Sequence, residues 1–354
     1  MGKKIRSIKI NERSINTNTS PYVVAEISGN HSGKISNLKR LIFKAKRSGC
    51  DAVKIQAYQA NTITIDSKKK DFLIDKKNTW KKYKNLFSLY KKAETPFKWY
   101  AEIFKYCKKI KITVFASVFD ISSVKVLEKI NCPAYKIASP EITDIPLISC
   151  VAKTKKPIIL SNGLSNYADL SLAIKTIRKE KNNNIIVLKC TSAYPAPLDE
   201  INLKTMIEIK KKFNCLSGFS DHTLGINTAV HAASMGASMI EKHICLKKNI
   251  KTVDSFFSST PHEFKKMISI IRDNLTTTGK IDFTVSKSSK KNMNGRRSLY
   301  IVNKIKKDEK LTAKNIRSIR PQYGLHPKYL KKILNKKVKK DIEAGEPFKL
   351  SYLR

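Results

Sequence analysis

Ionisable and hydroxyl side chains recur at the ends of short β-branched runs along this chain. A buried strand of a parallel sheet usually reads as a continuous apolar run, so polar residues at its last positions need a separate reason. In α/β folds that reason is usually an active site, because active sites lie at the carboxyl ends of the strands. The strand-end residues are Glu26, Lys54, Gln56, Lys136, Ser139, Ser161, Lys189 or Ser192, Ser220, His222, Glu241 and His243.

Two of these residues are histidines at equivalent strand ends. Side chains alternate across a strand, so Ser220 shares a face with His222, and Glu241 shares one with His243. A lone histidine is more often a hydrogen-bonded core residue, but two histidines beside other polar groups favour a divalent metal ion. With carboxylate and water completing the coordination, the pair suits Mn²⁺, with Mg²⁺ or Co²⁺ as alternatives, rather than a closed structural zinc site.

Two lysines and three serines predict an anion site. Lys54 and Lys136 would supply point charges for a phosphate or a carboxylate, and the hydroxyls of Ser139, Ser161 and Ser220 would fix its orientation. Two alternatives remain open. A barrel lysine can pair with a carboxylate for purely structural reasons, and it can also form a Schiff base, as in an aldolase.

Glu26 closes the first run and is the candidate general acid or base. Burial raises the pKa of a carboxyl group, whereas neighbouring lysines or a metal ion lower it. The sequence therefore leaves the direction of the Glu26 pKa shift open.

The spacing of the apolar runs predicts a (β/α)₈ TIM barrel, which is an α/β fold. Eight β–α units over about 250 residues specify a closed barrel, in which the strand-end side chains meet at one mouth. A doubly wound sheet is the competitor, but no Gly-x-Gly-x-x-Gly follows any run. The runs lie near 22–28, 51–57, 112–118, 134–139, 157–163, 185–192, 216–222 and 239–245, and helical periodicity separates them, as at 38–48, 96–109 and 170–179.

A change in composition after the last barrel helix predicts a second, smaller domain. About 60 residues bury little surface on their own, so this domain is expected to dock on something. We expect the barrel at 1–275, a polar linker at 276–294 and the small domain at 295–354. Within the small domain we expect strands at 298–302 and 348–352 and a helix near 327–334.

The charge of the chain is strongly positive. There are 71 Lys and Arg against 28 Asp and Glu, a formal net charge of +43, which could indicate nucleic-acid binding. However, the excess is mainly lysine and is spread along the chain, whereas a recognition surface concentrates Arg and interleaves stacking aromatics. A solvated lysine-rich surface that draws anionic substrates inward is favoured, and polyanion binding by a vestigial barrel is the alternative class.

Cysteine usage and the N-terminus both predict a cytoplasmic location. The seven cysteines include no Cys-x-x-Cys pair, so we expect buried reduced thiols rather than disulfides or zinc ligands. Residues 1–6 lack the apolar core of a signal peptide. No apolar stretch approaches the roughly 20 residues that span a bilayer.

Several short motifs, taken together, resemble the sialic acid synthase family, whose members make nonulosonic acids. The small domain shares the resemblance, because Arg320-Pro321 and Gly324-Leu325-His326-Pro327 are similar to the family's antifreeze-like (SAF-type) domain. Each motif alone is weak, but the ordered set is specific and covers nearly the whole chain. The barrel motifs are Ala25-Glu26-Ile27-Ser28-Gly29-Asn30-His31-Ser32-Gly33, Lys54-Ile55-Gln56, Tyr135-Lys136-Ile137-Ala138-Ser139, Ser220-Asp221-His222-Thr223-Leu224-Gly225 and Glu241-Lys242-His243.

The resemblance implies a metal-dependent transferase that condenses phosphoenolpyruvate with an open-chain acetamido sugar to give a 2-keto acid and phosphate. It also implies a homodimer in which the small domain of one subunit caps the barrel of the other. Glu26, His222 and His243 would be catalytic, and the two histidines would bind the metal. The sugar would contact Gln56, Tyr194, Asp254 and, from the other subunit, Arg320. Phosphoenolpyruvate would be held by Lys54, Ser117, Lys136, Ser139, Ser161, Ser220 and Ser192, although Ser192 stands where the family commonly has Asn.

The stretch Asp254-Ser255-Phe256-Phe257 resembles the branch of the family that makes pseudaminic acid. The branches that make sialic or legionaminic acid usually carry His after that Asp, and they remain the nearest alternatives. The pseudaminic branch uses 2,4-diacetamido-2,4,6-trideoxy-altrose, whose C6 methyl group Phe256 and Phe257 would suit. Both phenylalanines are equally consistent with ordinary core packing.

Overall fold

The chain folds into two units in a computed structural model that describes residues 7–354. The first unit ends at Gly279, and the second runs from Lys280 to Arg354. The signal-peptide argument rests on residues 1–6, which lie outside the described residues. Within residues 7–354, none of the helices combines the length and the apolar character needed to cross a bilayer.

The first unit consists of a hairpin followed by a closed barrel of eight parallel strands. The hairpin pairs β1 (Ile8–Ile10) with β2 (Arg13–Ile15) in antiparallel fashion. The barrel strands pair in chain order, and β10 returns to pair with β3, which confirms the predicted TIM barrel. These strands are β3 (Tyr22–Glu26), β4 (Ala52–Ala57), β5 (Thr113–Val118), β6 (Tyr135–Ile137), β7 (Ile158–Ser161), β8 (Ile185–Cys190), β9 (Leu216–Asp221) and β10 (Met239–His243).

Amphipathic helices connect the strands. In the first of them, the buried residues are Leu38, Leu41, Ile42 and Ala45, a three- and four-residue spacing that turns one face toward the core. The helices are α1 (Ile35–Arg47), α2 (Ala60–Ile63), α3 (Leu86–Ala93), α4 (Tyr100–Lys109), α5 (Ile121–Lys129), α6 (Ile145–Lys153), α7 (Tyr167–Lys179), α8 (Lys204–Phe213), α9 (Asn227–Ser234) and α10 (Pro261–Thr278).

Side-chain caps fix where several of these helices begin. At the start of α7, the Asn166 side chain accepts a hydrogen bond from Asp169 N–H, and the Asp169 carboxylate accepts one from Asn166 N–H. Thr260 and Glu263 form the same reciprocal box at the start of α10. The loops between strand ends and helix starts are thereby held at defined lengths.

Helix α10 continues into the segment expected to be a linker. The hydroxyl of Thr276 donates to Arg272 O, and those of Thr277 and Thr278 donate to Asn274 O, so this polar run remains helical. A short helix, α11 (Lys287–Lys290), then follows in an exposed stretch.

The second unit has a small core of its own. It pairs β11 (Ser298–Ile301) with β12 (Ile316–Ile319), and a 3₁₀ turn (Pro327–Tyr329) leads into α12 (Leu330–Ile333). The predicted strand at 348–352 is wrong: Phe348 N–H does donate to Leu299 O, but Leu350–Tyr352 coils into a 3₁₀ turn. The core comprises Leu299, Ile301, Ile305, Leu311, Ile316, Ile333, Val338, Ile342 and Phe348.

Candidate active site

A cavity of about 480 Å³ opens at the carboxyl ends of the barrel strands. Neighbouring strands bring their inward-facing side chains level with one another: Gln56 pairs with Ser117, and Ser117 pairs with Lys136. The loops after the strands complete the walls. The predicted site residues that line this cavity are Lys54, Gln56, Ser117, Lys136, Ser139, Ser161, Tyr194, Ser220, His222, His243 and Asp254.

Three predicted site residues lie elsewhere. Glu26 is buried behind Lys54, with a carboxylate oxygen 2.5 Å from Lys54 Nζ. Ser192 is half-buried beside the cavity, its Oγ 4.0 Å from Cys190 Sγ. Arg320 belongs to the second unit, where it directly follows β12.

Strand β8 presents Cys190 to the cavity rather than Lys189 or Ser192. Cys190 is in register with Ser220 on β9 and therefore faces the same way. Lys189 lies on the alternate face, where its ammonium donates to Cys190 O at 2.7 Å and to Thr191 Oγ1 at 3.3 Å. The strand-end cluster expected from the sequence thus receives a thiol at this position instead of a cation.

Two lysines and two glutamates form a buried ion network beneath the cavity. Lys136 Nζ lies 2.9 and 3.0 Å from the two carboxylate oxygens of Glu241, and Lys54 Nζ lies 3.6 Å from one of them. Lys54 also pairs with Glu26, and all four side chains are at most 4% exposed. The structural alternative for the lysines is therefore also realised, because each one has a carboxylate partner.

The two carboxylates of this network differ in pKa. Burial raises the pKa of Glu26, and the pairing with Lys54 offsets that effect only in part. Burial also opposes ionisation of Glu241, but Lys136 and Lys54 outweigh it and lower the pKa of Glu241 to about 2. Glu241 is therefore the fixed counter-ion of the lysines, and Glu26 is the carboxyl group whose protonated form is favoured by burial.

Serine hydroxyls line the same cavity as the two ammonium groups. Ser139 Oγ accepts a hydrogen bond from Gly163 N–H at 3.0 Å, and Ser220 Oγ lies 3.4 Å from Glu241. Ser161 Oγ is buried without a partner among the described residues. A Cβ at position 163 would lie 2.8 Å from Ser139 Oγ, so glycine is needed for the close approach. A buried hydroxyl without a partner, in a cavity that two ammonium groups also line, is what an anion would satisfy.

The two histidines lie side by side on one wall of the cavity, at the ends of the neighbouring strands β9 and β10, with ring centroids 5.4 Å apart. His222 Nδ1 lies 2.9 Å from Thr191 O, which can only accept, so Nδ1 carries a proton and Nε2 is the ring nitrogen that remains for a ligand. Burial opposes protonation of His222, but the neighbouring Cys190 outweighs it and raises the pKa of His222. Burial and the charge of His222 lower the pKa of His243, whose Nδ1 has no hydrogen-bond partner within residues 7–354. Nowhere in that range do three His, Cys, Asp or Glu side chains form a metal-binding group. The pair thus fits an open metal site that would take its other ligands from substrate and water.

Sequence reasoning missed two ionisable residues of the cavity. Burial raises the pKa of Glu141 to about 7. Glu141 stands two positions after the predicted site residue Ser139, and this closeness in sequence could have indicated it. Burial opposes ionisation of Cys190, but the neighbouring His222 outweighs it and lowers the thiol pKa to about 7. Cys190 was hidden by its apolar run, in which a thiol reads as a core residue.

The outer part of the cavity is aromatic on one side. The Tyr194 ring lies 4.5 Å from His222 and 5.1 Å from Phe257, measured between centroids. Phe257 is buried and lines the cavity, whereas Phe256 is 41% exposed and does not. Asp254 is buried beside them, where Ser28 Oγ donates to its carboxylate. The two phenylalanines considered for the sugar therefore have different environments.

Comparison with known proteins places the two units in defined families. The NeuB family matches residues 41–282, and the SAF domain matches residues 296–354. Pseudaminic acid synthase from Helicobacter pylori is 40% identical over 328 residues, 92% of this chain and 96% of that protein. Pseudaminic acid synthase from Campylobacter jejuni strain 81-176 is also 40% identical, over 339 residues, 96% of this chain and 98% of that protein. The crystal structure of N-acetylneuraminic acid synthetase from Leptospira borgpetersenii superposes with a TM-score of 0.72 at 26% identity, covering 81% of this chain and 95% of that one.

Proposed function

This chain belongs to the NeuB family, and on that premise we propose that it condenses phosphoenolpyruvate with 2,4-diacetamido-2,4,6-trideoxy-altrose to give pseudaminic acid and phosphate. The observation that carries the proposal is the 40% identity to pseudaminic acid synthases over more than nine-tenths of the chain. The cavity supports it, because an anion site, a histidine pair and an aromatic wall share one volume.

The lysines and serines are assigned to phosphoenolpyruvate. Its phosphate would lie against Lys54 and Lys136 and take the free hydrogen bond of Ser161. Ser117, Ser139 and Ser220 would orient it. Each ammonium then exchanges part of its pairing with Glu241 for the phosphate, so the substrate enters a site whose cations are already in place.

Glu26 is assigned to the proton transfer. Carbon 3 of phosphoenolpyruvate forms the bond to the aldehyde carbon, water adds at carbon 2, and phosphate leaves by C–O cleavage. When the phosphate draws on the charge of Lys54, Glu26 loses part of its ion pair and becomes a stronger base toward the attacking water. Lys54 and Lys136 neutralise the phosphate as it departs.

His222 and His243 are assigned to a divalent ion, with Mn²⁺ first by donor chemistry. When bound, such an ion supplies a Lewis acid for the aldehyde oxygen. The protein's own contribution is the orientation of the rings: the hydrogen bond from His222 Nδ1 to Thr191 O fixes one, and Phe257, 4.7 Å from the His243 ring, packs against the other. Gln56, Tyr194 and Asp254 would contact the sugar, with Arg320 added from a second subunit.

The rim of the cavity supports a capped homodimer. Leu164, Leu198 and Leu224 lie in loops after β7, β8 and β9 and are 58%, 73% and 60% exposed. Exposed leucines around an active-site mouth are suited to a docking partner, and the small domain of a second copy is the one we assign. The seven free cysteines, six of them buried, support a reducing compartment, the cytoplasm.

A substrate panel tests the proposed function. The protein is supplied with phosphoenolpyruvate, Mn²⁺ and one sugar at a time, and phosphate release and product mass are followed. We expect turnover with the diacetamido-trideoxy sugar and loss of turnover with a chelator, restored by Mn²⁺. Exclusive use of N-acetylmannosamine or of the legionaminic precursor would move the chain to another branch of the family. Full activity in metal-stripped protein would remove the metal assignment.

A further inference from the structure

The segment between β4 and α4 crosses the mouth of the cavity. Thr79 Oγ1 donates to Tyr194 O at 3.4 Å, in the loop after β8, and Trp80 Nε1 donates to Val253 O at 3.1 Å, in the loop after β10. Leu89 and Ala93 pack against Val253 from the same segment. Trp80 is therefore held by the loop after β10, and its neighbour Thr79 is held by the loop after β8, on the opposite side of the barrel from β4.

This segment supplies an apolar wall that the assigned site residues do not include. The wall comes from a connecting segment, whereas Lys54, Lys136 and Glu241 of the buried ion network lie on barrel strands. It is defined by Ile63, Ile74, Trp80, Leu86, Leu89 and Tyr90, all of which line the cavity.

Tyr194 lies between Trp80 and the histidine pair. Its ring centroid is 4.5 Å from that of His222 and 5.4 Å from that of Trp80. In the proposed function the sugar aldehyde lies at the histidines. The opposite end of an open-chain sugar then extends toward Trp80.

We propose that the apolar wall binds the methyl-bearing end of the sugar and that Trp80 is its main specificity-determining residue. The inference rests on the proposed function and adds to it which part of the sugar the protein recognises. A methyl group gains from burial against indole and aliphatic side chains, whereas a hydroxyl at the same place would lose its water without a partner. The methyl group belongs either to C6 or to the 4-acetamido group, and the experiment separates the two.

The test compares the wild-type protein with Trp80→Ala and Trp80→Phe on three sugars: the diacetamido-trideoxy sugar, its 6-hydroxy analogue and its 4-amino analogue. One methyl in an apolar pocket is worth roughly 10- to 200-fold in kcat/KM. We expect Trp80→Ala to raise the KM for the first sugar about 10-fold or more, with the KM for phosphoenolpyruvate unchanged. Trp80→Phe should recover part of the loss.

The ratio of kcat/KM between sugars identifies the methyl group. If Trp80→Ala loses the preference for the 6-deoxy sugar over its 6-hydroxy analogue, the wall binds the C6 methyl group. If it loses the preference for the 4-acetamido sugar over its 4-amino analogue, the wall binds the acetyl methyl group. Ratios equal to wild type in both comparisons overturn the inference. The proposed function is judged separately, by which sugar the wild-type protein uses.

A second readout does not depend on turnover. The chain has two tryptophans, Trp80 and Trp99, and Trp99 packs against His31 outside the cavity. Trp99→Phe leaves Trp80 as the sole indole emitter and serves as the matched activity control. We expect the sugar, but not phosphoenolpyruvate alone, to shift its emission. Unchanged Trp80 emission at saturating sugar would contradict the proposal that the sugar binds at the apolar wall.

Discussion

Glu26 is the side chain whose protonation bears most directly on the proposed chemistry. We expect Glu26→Gln to fold, to keep Lys54 in place through its pairing with Glu241, and to lose about 100- to 10,000-fold in turnover, the range for removal of a general acid or base. Phosphate release and Mn²⁺ affinity are the measurements. Exposed Glu12→Gln is the matched control and should be unaffected. Near-normal turnover in Glu26→Gln would remove this residue from the mechanism.

At the scale of single residues, strand periodicity predicted most of the side chains that share the cavity. His222 and His243 each end a run whose parity points inward, and the structure brings both to one wall. The pattern failed at Lys189 because its run is apolar on both faces. Which residues of that strand point into the barrel then depends on the register with Ser220, which is a long-range property. The apolar wall could not be predicted either, because Trp80 follows no strand and is placed by its hydrogen bond to Val253 O.

At the scale of elements, a buried ion pair joins β9 to β10 behind the histidines. Lys242 Nζ lies 2.7 Å from Asp221 Oδ2 and also donates to Thr223 O, and both charged side chains are fully buried. Each residue immediately precedes one of the paired histidines, on the opposite face of its strand. The pair therefore fixes the relative position of the two strand ends that carry His222 and His243.

We expect Lys242→Met to lower the free energy of unfolding by about 3–5 kcal/mol, because it leaves Asp221 charged and unpaired. The double variant Asp221→Asn/Lys242→Met should recover most of this loss, since Asn can still accept the hydrogen bond from Thr223 N–H. Urea denaturation measures both. Lys212→Met is the control, because its pairing with Glu208 is exposed and worth at most about 1 kcal/mol. A double variant no more stable than the single one would contradict the coupling.

The 3₁₀ turn after β3 predicts a pH dependence of stability. Its last residue, His31, is buried, accepts a hydrogen bond from Gly33 N–H at Nδ1, and has a pKa lowered by burial to about 4. Because the folded pKa lies below the unfolded one, the unfolded state binds more protons between these values, and stability falls as the pH drops through that window. From pH 7 to pH 5 the His31 contribution should fall by about 2 kcal/mol. Urea unfolding of the wild type and of His31→Gln should differ in slope by that amount, and parallel profiles would refute the assignment.

At the scale of the whole molecule, the barrel could be predicted because eight similar units repeat, and an error in one leaves the pattern readable. The second unit has no such repeat. Its segment 348–352 alternates like a strand, yet Phe348 alone enters the core while Leu350 is 50% exposed, so one pairing is made and the chain then coils. The net charge of +43 is a further global property, and from it we expect steering of anionic substrates but no information about the fold. Failure to bind RNA or DNA at physiological salt would dispose of the polyanion alternative.

The proposed dimer can be tested by an outcome that is expected only if each small domain caps the barrel of the other subunit. Arg320→Ala should raise the KM for the sugar without changing the stability of the barrel, since Arg320 lies in the second unit. Glu26→Gln should inactivate the barrel of its own chain. If the small domain caps the partner's barrel, a heterodimer of the two variants contains one site with both native residues and one site with neither.

Mixing the two variants should therefore restore activity when subunits exchange and the sugar concentration is near the wild-type KM, far below the raised KM of Arg320→Ala. Random pairing makes half of the dimers heterodimers with one intact site of two, so turnover should approach about one quarter of the wild-type value. Phosphate release over time after mixing measures the recovery, and each variant incubated with itself is the control. If each small domain caps its own barrel instead, every site in the mixture carries one substitution, and turnover stays at the average of the two separate variants because exchange cannot create an intact site.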